Sequence, residues 1–291
     1  MKFAGKLREL RKKENMSQET LAARLGVSRQ AVTKWETDKG LPDIGNLMEI
    51  SAVFGVSLEE LLSGEETVAA RQEPLYESRT EYDMSGDKRI DLRLGGARRV
   101  TVRGSDDEKI IVRLLSRSIK TLRQDIKVRI EDEKRRIDVT VNRLNKLTEA
   151  DAKEGLDIEV TLPNSCLRHA ELQANCAELC IANVVCGSLE FGGRAERMNI
   201  DGLEARFEVN CDLDMEISCR GLRGSLELNQ ISATSVLNVH DGLAFRTAVK
   251  GFGNSVSFRK GEAETEDFSD PDAENLVELN GMRSELKIVR T

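Results

Sequence analysis

Aromatic side chains are scarce in this sequence. They make up 4% of 291 residues, with one Trp and two Tyr. A core of stacked rings is excluded, so any sizeable core must be built from aliphatics. Only two histidines are present. General acid–base chemistry would have to rest on carboxylates, and nothing singles out a pair. There is no nucleophile elbow, no phosphate loop and no HExxH motif, and "GFGNSV" at Gly251 is too short and is set among strands. The expectation is a protein that is not an enzyme and needs no cofactor. No stretch approaches eighteen uninterrupted apolar residues, so no membrane span is expected. The opening "MKFAGKLRELRKK" lacks the apolar segment of a signal peptide, which points to the cytoplasm. There the six cysteines, all between Cys166 and Cys219, are expected to stay reduced.

What is present is charge, 33% of the residues, unevenly distributed. Residues 1–40 hold ten Lys/Arg against five Asp/Glu, and residues 41–64 hold four acids and no base. The first 64 residues therefore carry about +1 and the remainder −8. An acidic body with a locally basic head directs any polyanion to the head.

The length suggests more than one domain. Residues 2–14 have helical spacing, with Phe3, Leu7 and Leu10 on one face. Ser17 is placed to cap a second helix, with Glu19 in its first turn. Gly26 suits a helix end that needs positive φ, and Ser28 suits the cap of a third helix from Arg29 to Thr37. A fourth helix is predicted over 44–54. A fifth opens on the capping box of Ser57 and Glu60 and buries Leu58, Leu61 and Leu62. The reading is a five-helix domain over 1–64 and a linker over 65–85.

From residue 86 the apolar period becomes two, in pieces such as "RIDLRL", "KIIVRLL" and "LDIEVTLP". Short pieces follow every eight to twelve residues, punctuated by Gly, Asn or Asp. They predict an all-β domain over 86–291 without helices between the strands. Sandwich, barrel and solenoid all remain open. A loose repeat in "GSLEFGG", "GLEARFEVN" and "GLRGSLELN" favours a β-solenoid of about twenty residues per coil. The fold class is thus multi-domain α + β.

The second and third helices form a pair about a tight turn at Gly26. They share Leu21, Ala22, Leu25, Val32 and Trp35, and the start of the third helix is polar. Such a helix can enter the major groove of B-DNA, which is about 12 Å wide. The stretch from "LRELRKKENMSQETLAARLGVSRQAVTKWE" to "FGVSLEELL" resembles the Cro and lambda-repressor type (XRE) helix-turn-helix family over residues 3–64. The resemblance implies operator binding as a homodimer, usually as a repressor. By position it implies that Arg29, Gln30 and Lys34 reach base edges. Gln18, Ser28, Thr33 and Lys39 are then contacts to phosphate. Arg pairs bidentately with guanine and Gln with adenine, which agrees with those roles. The plainer alternative is a solvated helix face, and for Gln18 and Ser28 simple capping. Trp35 is assigned to the core and Glu36 to an internal pair or cap.

"CLRHAELQANCAELC" brings Cys166, His169, Cys176 and Cys180 within fifteen residues. Zinc binding and redox sensing are both conceivable there. Burial as small apolar residues is the stronger reading, so no metal is assigned. The β region weakly resembles the bacterial adhesin-type β-solenoid domain. Fold alone does not give its task. One reading makes it an assembly scaffold and another a sensor for an effector. A third makes the whole chain an interaction scaffold whose helical head is a remnant.

Overall fold

Phe3, Leu7 and Leu10 recur at helical spacing, and helix α1 (Phe3–Lys13) buries all three. The computed structural model describes residues 3–13, 16–54, 75–261 and 263–290. The chain divides into two units, residues 1–73 and 74–291. In the first, α2 (Gln18–Arg24) starts at Ser17, whose Oγ accepts from the Thr20 N–H at 3.0 Å. Gly26 then takes φ +62°. Helix α3 (Arg29–Glu36) starts at Ser28, whose Oγ accepts from the Ala31 N–H at 3.2 Å. Helix α4 spans Ile44–Phe54. One cluster joins them: Leu7, Leu21, Ala22, Leu25, Val32, Trp35 and Ile50, with Leu47 and Phe54 packed against it. The expected fifth helix and the first ten residues of the expected linker lie outside the described residues.

The second unit begins earlier than its sequence suggests. Tyr76–Asp83, read as linker, is strand β1, paired antiparallel with β3 (Lys109–Ser116). Strand β2 (Lys88–Ser105) lies parallel to β5 (Arg136–Arg143) and to β6 (Leu156–Pro163). Strand β4 (Ile126–Asp132) pairs antiparallel with β5. Among the described residues two short α-helices, Leu122–Asp125 and Glu149–Gly155, and one 3-10 turn, Asn164–Cys166, interrupt the strands, against the expectation of none. The second helix forms because Thr148 and Asp151 make a reciprocal capping box.

Downstream, pieces expected as separate strands run together as β7 (Leu167–Asn210). The backbone turns its corners while staying in the ladder. Gly193, at φ +135°, passes so close to the neighbouring rung that an added Cβ would lie 2.0 Å from the Ala174 carbonyl oxygen. Ala174 is nineteen residues earlier, and the same spacing recurs. Leu203 of β7 pairs in parallel with Leu222 of β9 (Leu222–Ile231), and Arg197 with Glu216 of β8 (Glu216–Cys219). The rungs point apolar side chains inward, as in Val209 and Leu228 or Phe207 and Leu226, and mostly polar residues outward.

Strand order departs from chain order at the far end. Strands β14 (Leu276–Met282) and β15 (Glu285–Arg290) are latest in the chain but not outermost. Strand β14 lies between β9 and β11 (Arg246–Val249), and β15 between β10 (Thr234–Val239) and β12 (Ser255–Lys260). The short β13 (Ala263–Thr265) ends the path beyond β12. Among the described residues the ladder runs open-ended from β1 to β13 and does not close on itself.

Candidate nucleic-acid interface

Helix α3 is two-faced because its apolar residues are spaced by three. Val32, Trp35 and Glu36 are buried, while Arg29, Gln30 and Lys34 are exposed together on the other side. The first turn of the helix is thereby polar and accessible, as groove entry requires. Lys39 is exposed just past its end, and its N–H donates to the Lys34 carbonyl at 2.9 Å.

The buried carboxylate of Glu36 fixes how this helix is presented. Arg11 Nε donates to Glu36 Oε1 at 2.5 Å and Arg11 Nη2 to Oε2 at 2.9 Å. Gln18 Nε2 donates to the same Oε2 at 2.8 Å, and Arg8 Nη2 donates to the Glu36 carbonyl at 3.1 Å. Helices α1, α2 and α3 therefore converge on one side chain. Burial pushes the Glu36 carboxyl up. The hydrogen bonds from Arg11 and Gln18 outweigh that and hold it below its ordinary value.

This network engages two of the residues assigned to phosphate. The Gln18 side-chain amide is held by Glu36, and its Oε1 accepts from Thr33 Oγ1 at 3.2 Å. Thr33 also donates to the Arg29 carbonyl at 2.9 Å. Ser28 caps α3 and is exposed. The geometry thus brings Arg29, Gln30 and Lys34 together and turns the Gln18 and Thr33 side chains inward. Sequence reasoning assigned Glu36 an internal pair but missed Arg11 as its partner. The available signal was a lone acid directly after the core Trp35, which needs a cation when buried.

In the β unit the cysteines are free thiols, with Cys176, Cys211 and Cys219 buried. Burial pushes the Cys176 and Cys219 thiols up to about 12 and Cys186 up to about 11. Thiols so raised are poor nucleophiles, in keeping with a packing role. Among the described residues the one trio with converging ligand atoms is His169, Glu171 and Glu190, and no cysteine belongs to it. All three have partners. His169 Nδ1 meets Ser188 Oγ at 2.6 Å, Glu171 accepts from Arg89 and Gln173, and Glu190 accepts from Asn210.

The helix-turn-helix family profile matches residues 7–61. Over 68 residues the chain is 50% identical to the HTH-type transcriptional activator BcrR of Enterococcus faecalis, a match covering 23% of this chain and 33% of that one. The chain thus spans only about a third of that relative's length. It is 39% identical over 64 residues to the control protein C.MunI of a Mycoplasma species, covering 22% of this chain and 86% of the relative. A candidate cell-adhesion protein of Clostridium sporogenes, whose structure is solved, is similar over 75% of this chain and 100% of its own, with 10% identity and a TM-score of 0.41. No helix among the described residues is long and apolar enough to cross a membrane. Through residues 7–61 the chain belongs to the XRE-type helix-turn-helix family.

Proposed function

We propose that the chain is a sequence-specific DNA-binding regulator of transcription in the cytoplasm. It reads an operator with the exposed face of α3 and acts as a homodimer. One observation carries this reading: Arg29, Gln30 and Lys34 are exposed side by side, while the opposite face of the same short helix is locked into the core. Arg29 and Gln30 are the base readers, with Lys34 beside them. Ser28 and Lys39 approach phosphate. A head carrying only about +1 neutralises few phosphates, so a single copy would bind weakly at physiological salt, and two heads restore affinity. Exposed Leu41 and Met48 on the same head suit contact with a second copy.

Repression is the proposed sign of regulation. A head seated on DNA excludes polymerase by occupancy alone, whereas activation needs a further surface. The β unit is read as a β-solenoid, supported by its parallel rungs at nineteen-residue spacing. Its role is to hold protomers together or to sense an effector, and it is not a catalyst. Selection from random DNA with the full chain tests the reading. A defined half-site should emerge, repeated with two-fold symmetry. Arg29→Ala and Gln30→Ala should each relax preference at one base position, by about 5- to 150-fold. Selection of no site would favour the interaction scaffold with a remnant head. A reporter that falls when the chain is removed would replace repression by activation.

A further inference from the structure

A cleft of about 910 Å³ opens in the β unit where strands β2 and β5 part. The two are in parallel register from Arg89/Arg136 to Arg93/Thr140. Strand β2, paired with β7 on its other edge from Lys88 onward, then takes an extra residue between Arg93 and Gly95 and leaves β5, which continues to Arg143. One wall is the end of β5, with Asn142 and Arg143. The opposite wall is a corner of β7, where Asn175 stands beside Gly192 and Gly193. Arg93 also lines the opening.

The two guanidiniums differ from the arginines around them. Arg98, Arg99 and Arg113 each close a hydrogen bond onto a carboxylate of a neighbouring strand, and Arg89 and Arg136 each onto an Asp two residues on in their own strand. Arg93 reaches only to 3.5 Å from Asp138 Oδ1, and that buried oxygen has no hydrogen-bond partner among the described residues. Arg143 reaches only to 3.7 Å from Glu149, whose carboxylate already accepts from Asn175 at 3.1 Å and lies 3.5 Å from Lys153. Both guanidiniums therefore keep their planar N–H pairs available to a further oxyanion. Asn142 is exposed beside them with donor and acceptor unengaged among the described residues, and the Oδ1 of Asn175 is open. On the β7 side Gly192 carries no side chain, and a Cβ there would meet nothing within 4 Å. The volume falls in the range of small-molecule sites, roughly 300–1,000 Å³. The lining is mainly polar, with amides and two guanidiniums beside the Glu149 carboxylate and the apolar Val141, Leu147 and Ala174.

We infer that this cleft binds a small hydroxylated oxyanion, a sugar acid or a sugar phosphate, with Arg93 and Arg143 on the anionic group and Asn142 and Asn175 on hydroxyls. Ligands of this kind are the signal under the sensing role proposed for the β unit, on which the inference rests. Binding is read without DNA, so its failure leaves operator recognition standing. A failed site selection in the presence of ligand binding would remove only the regulator reading.

The test is isothermal titration of the full chain with D-glucuronate, glucose 6-phosphate, glucose and inorganic phosphate. One of the first two should bind at one per chain, at least tenfold more tightly than glucose or inorganic phosphate. Arg93→Gln and Arg143→Gln should each weaken it by tenfold or more. Gly192→Phe, whose Cβ has open space around it, should abolish it by filling the cleft while the β unit's thermal transition stays in place. Glucose binding equal to that of the anions, undiminished affinity in the arginine pair or in Gly192→Phe, or no heat from either anion at 10 mM (about 3 kcal/mol or less of affinity) would each overturn the assignment.

Discussion

Glu36 holds the reading head together from the inside, and the chain's single Trp sits next to it. Trp35 emission therefore reports this unit and not the β unit. Replacing Glu36 by Ala strands the Arg11 guanidinium in a mostly buried position. The head should lose about 3–5 kcal/mol, seen as a lower denaturant midpoint of Trp35 emission. The pH dependence follows from the sign of the shift. The folded carboxyl lies below its unfolded value of about 4.3, so its contribution is complete above about pH 5. It drains away as pH falls through the folded value. Glu36→Gln, with no proton to take up, should flatten the midpoint between pH 6 and pH 3 while lowering it at neutrality. Exposure of Arg29, Gln30 and Lys34 was legible from spacing alone, since one helix turn determines it. The Arg11 partnership was not. It joins residues twenty-five apart on different helices, and periodicity reads only neighbours on the same one.

Elements differ in how strictly their turns depend on glycine. At Gly26, φ is +62° and an added Cβ would meet nothing within 4 Å. Gly26→Ala should therefore cost the head only about 1–2 kcal/mol, by the same Trp35 measurement. At Gly193 the strand itself would have to move, because the new Cβ would sit 2.0 Å from the Ala174 carbonyl oxygen. Gly193→Ala should lower the β unit's melting temperature by far more, or prevent folding, as read by far-UV circular dichroism. Strand periodicity was plain in the sequence, and so were the caps at Ser17 and Ser28. Three features escaped. "YESRTEYD" is so charged that it passes for linker, yet charge suits β1, which among the described residues pairs with β3 alone. The corners of β7 look like turns in sequence although the ladder continues through them. The Thr148 box closes with Asp in place of the commoner Glu or Gln, so the helix after it went unread.

For the whole molecule, the proposed recognition by two weakly charged heads predicts a measurable signature. The affinity of the full chain for its operator should fall with salt at a slope of about −0.9 per phosphate contacted. Residues 1–70 alone should bind more weakly at equal salt, and equal affinity would show that the β unit contributes nothing to assembly. The division into helical head and β body was legible from the change of period near residue 86. The order of the last strands was not, because register carries no trace of insertion. Ser225 of β9 pairs with Leu276 of β14, which pairs in turn with Arg246 of β11. On the other side Thr234 of β10 pairs with Glu285 of β15, which pairs with Ser255 of β12. Both outer partners, Arg246 and Ser255, lie twenty-one residues beyond Ser225 and Thr234, close to the step between earlier rungs. A chain ending at residue 274 should therefore zip β11 and β12 straight onto β9 and β10 and keep a cooperative thermal transition. During synthesis that shorter stack can assemble before the closing segment leaves the ribosome. The final wedge would then have to part that seam, and refolding of the full chain should show a slow last step that the chain ending at residue 274 lacks.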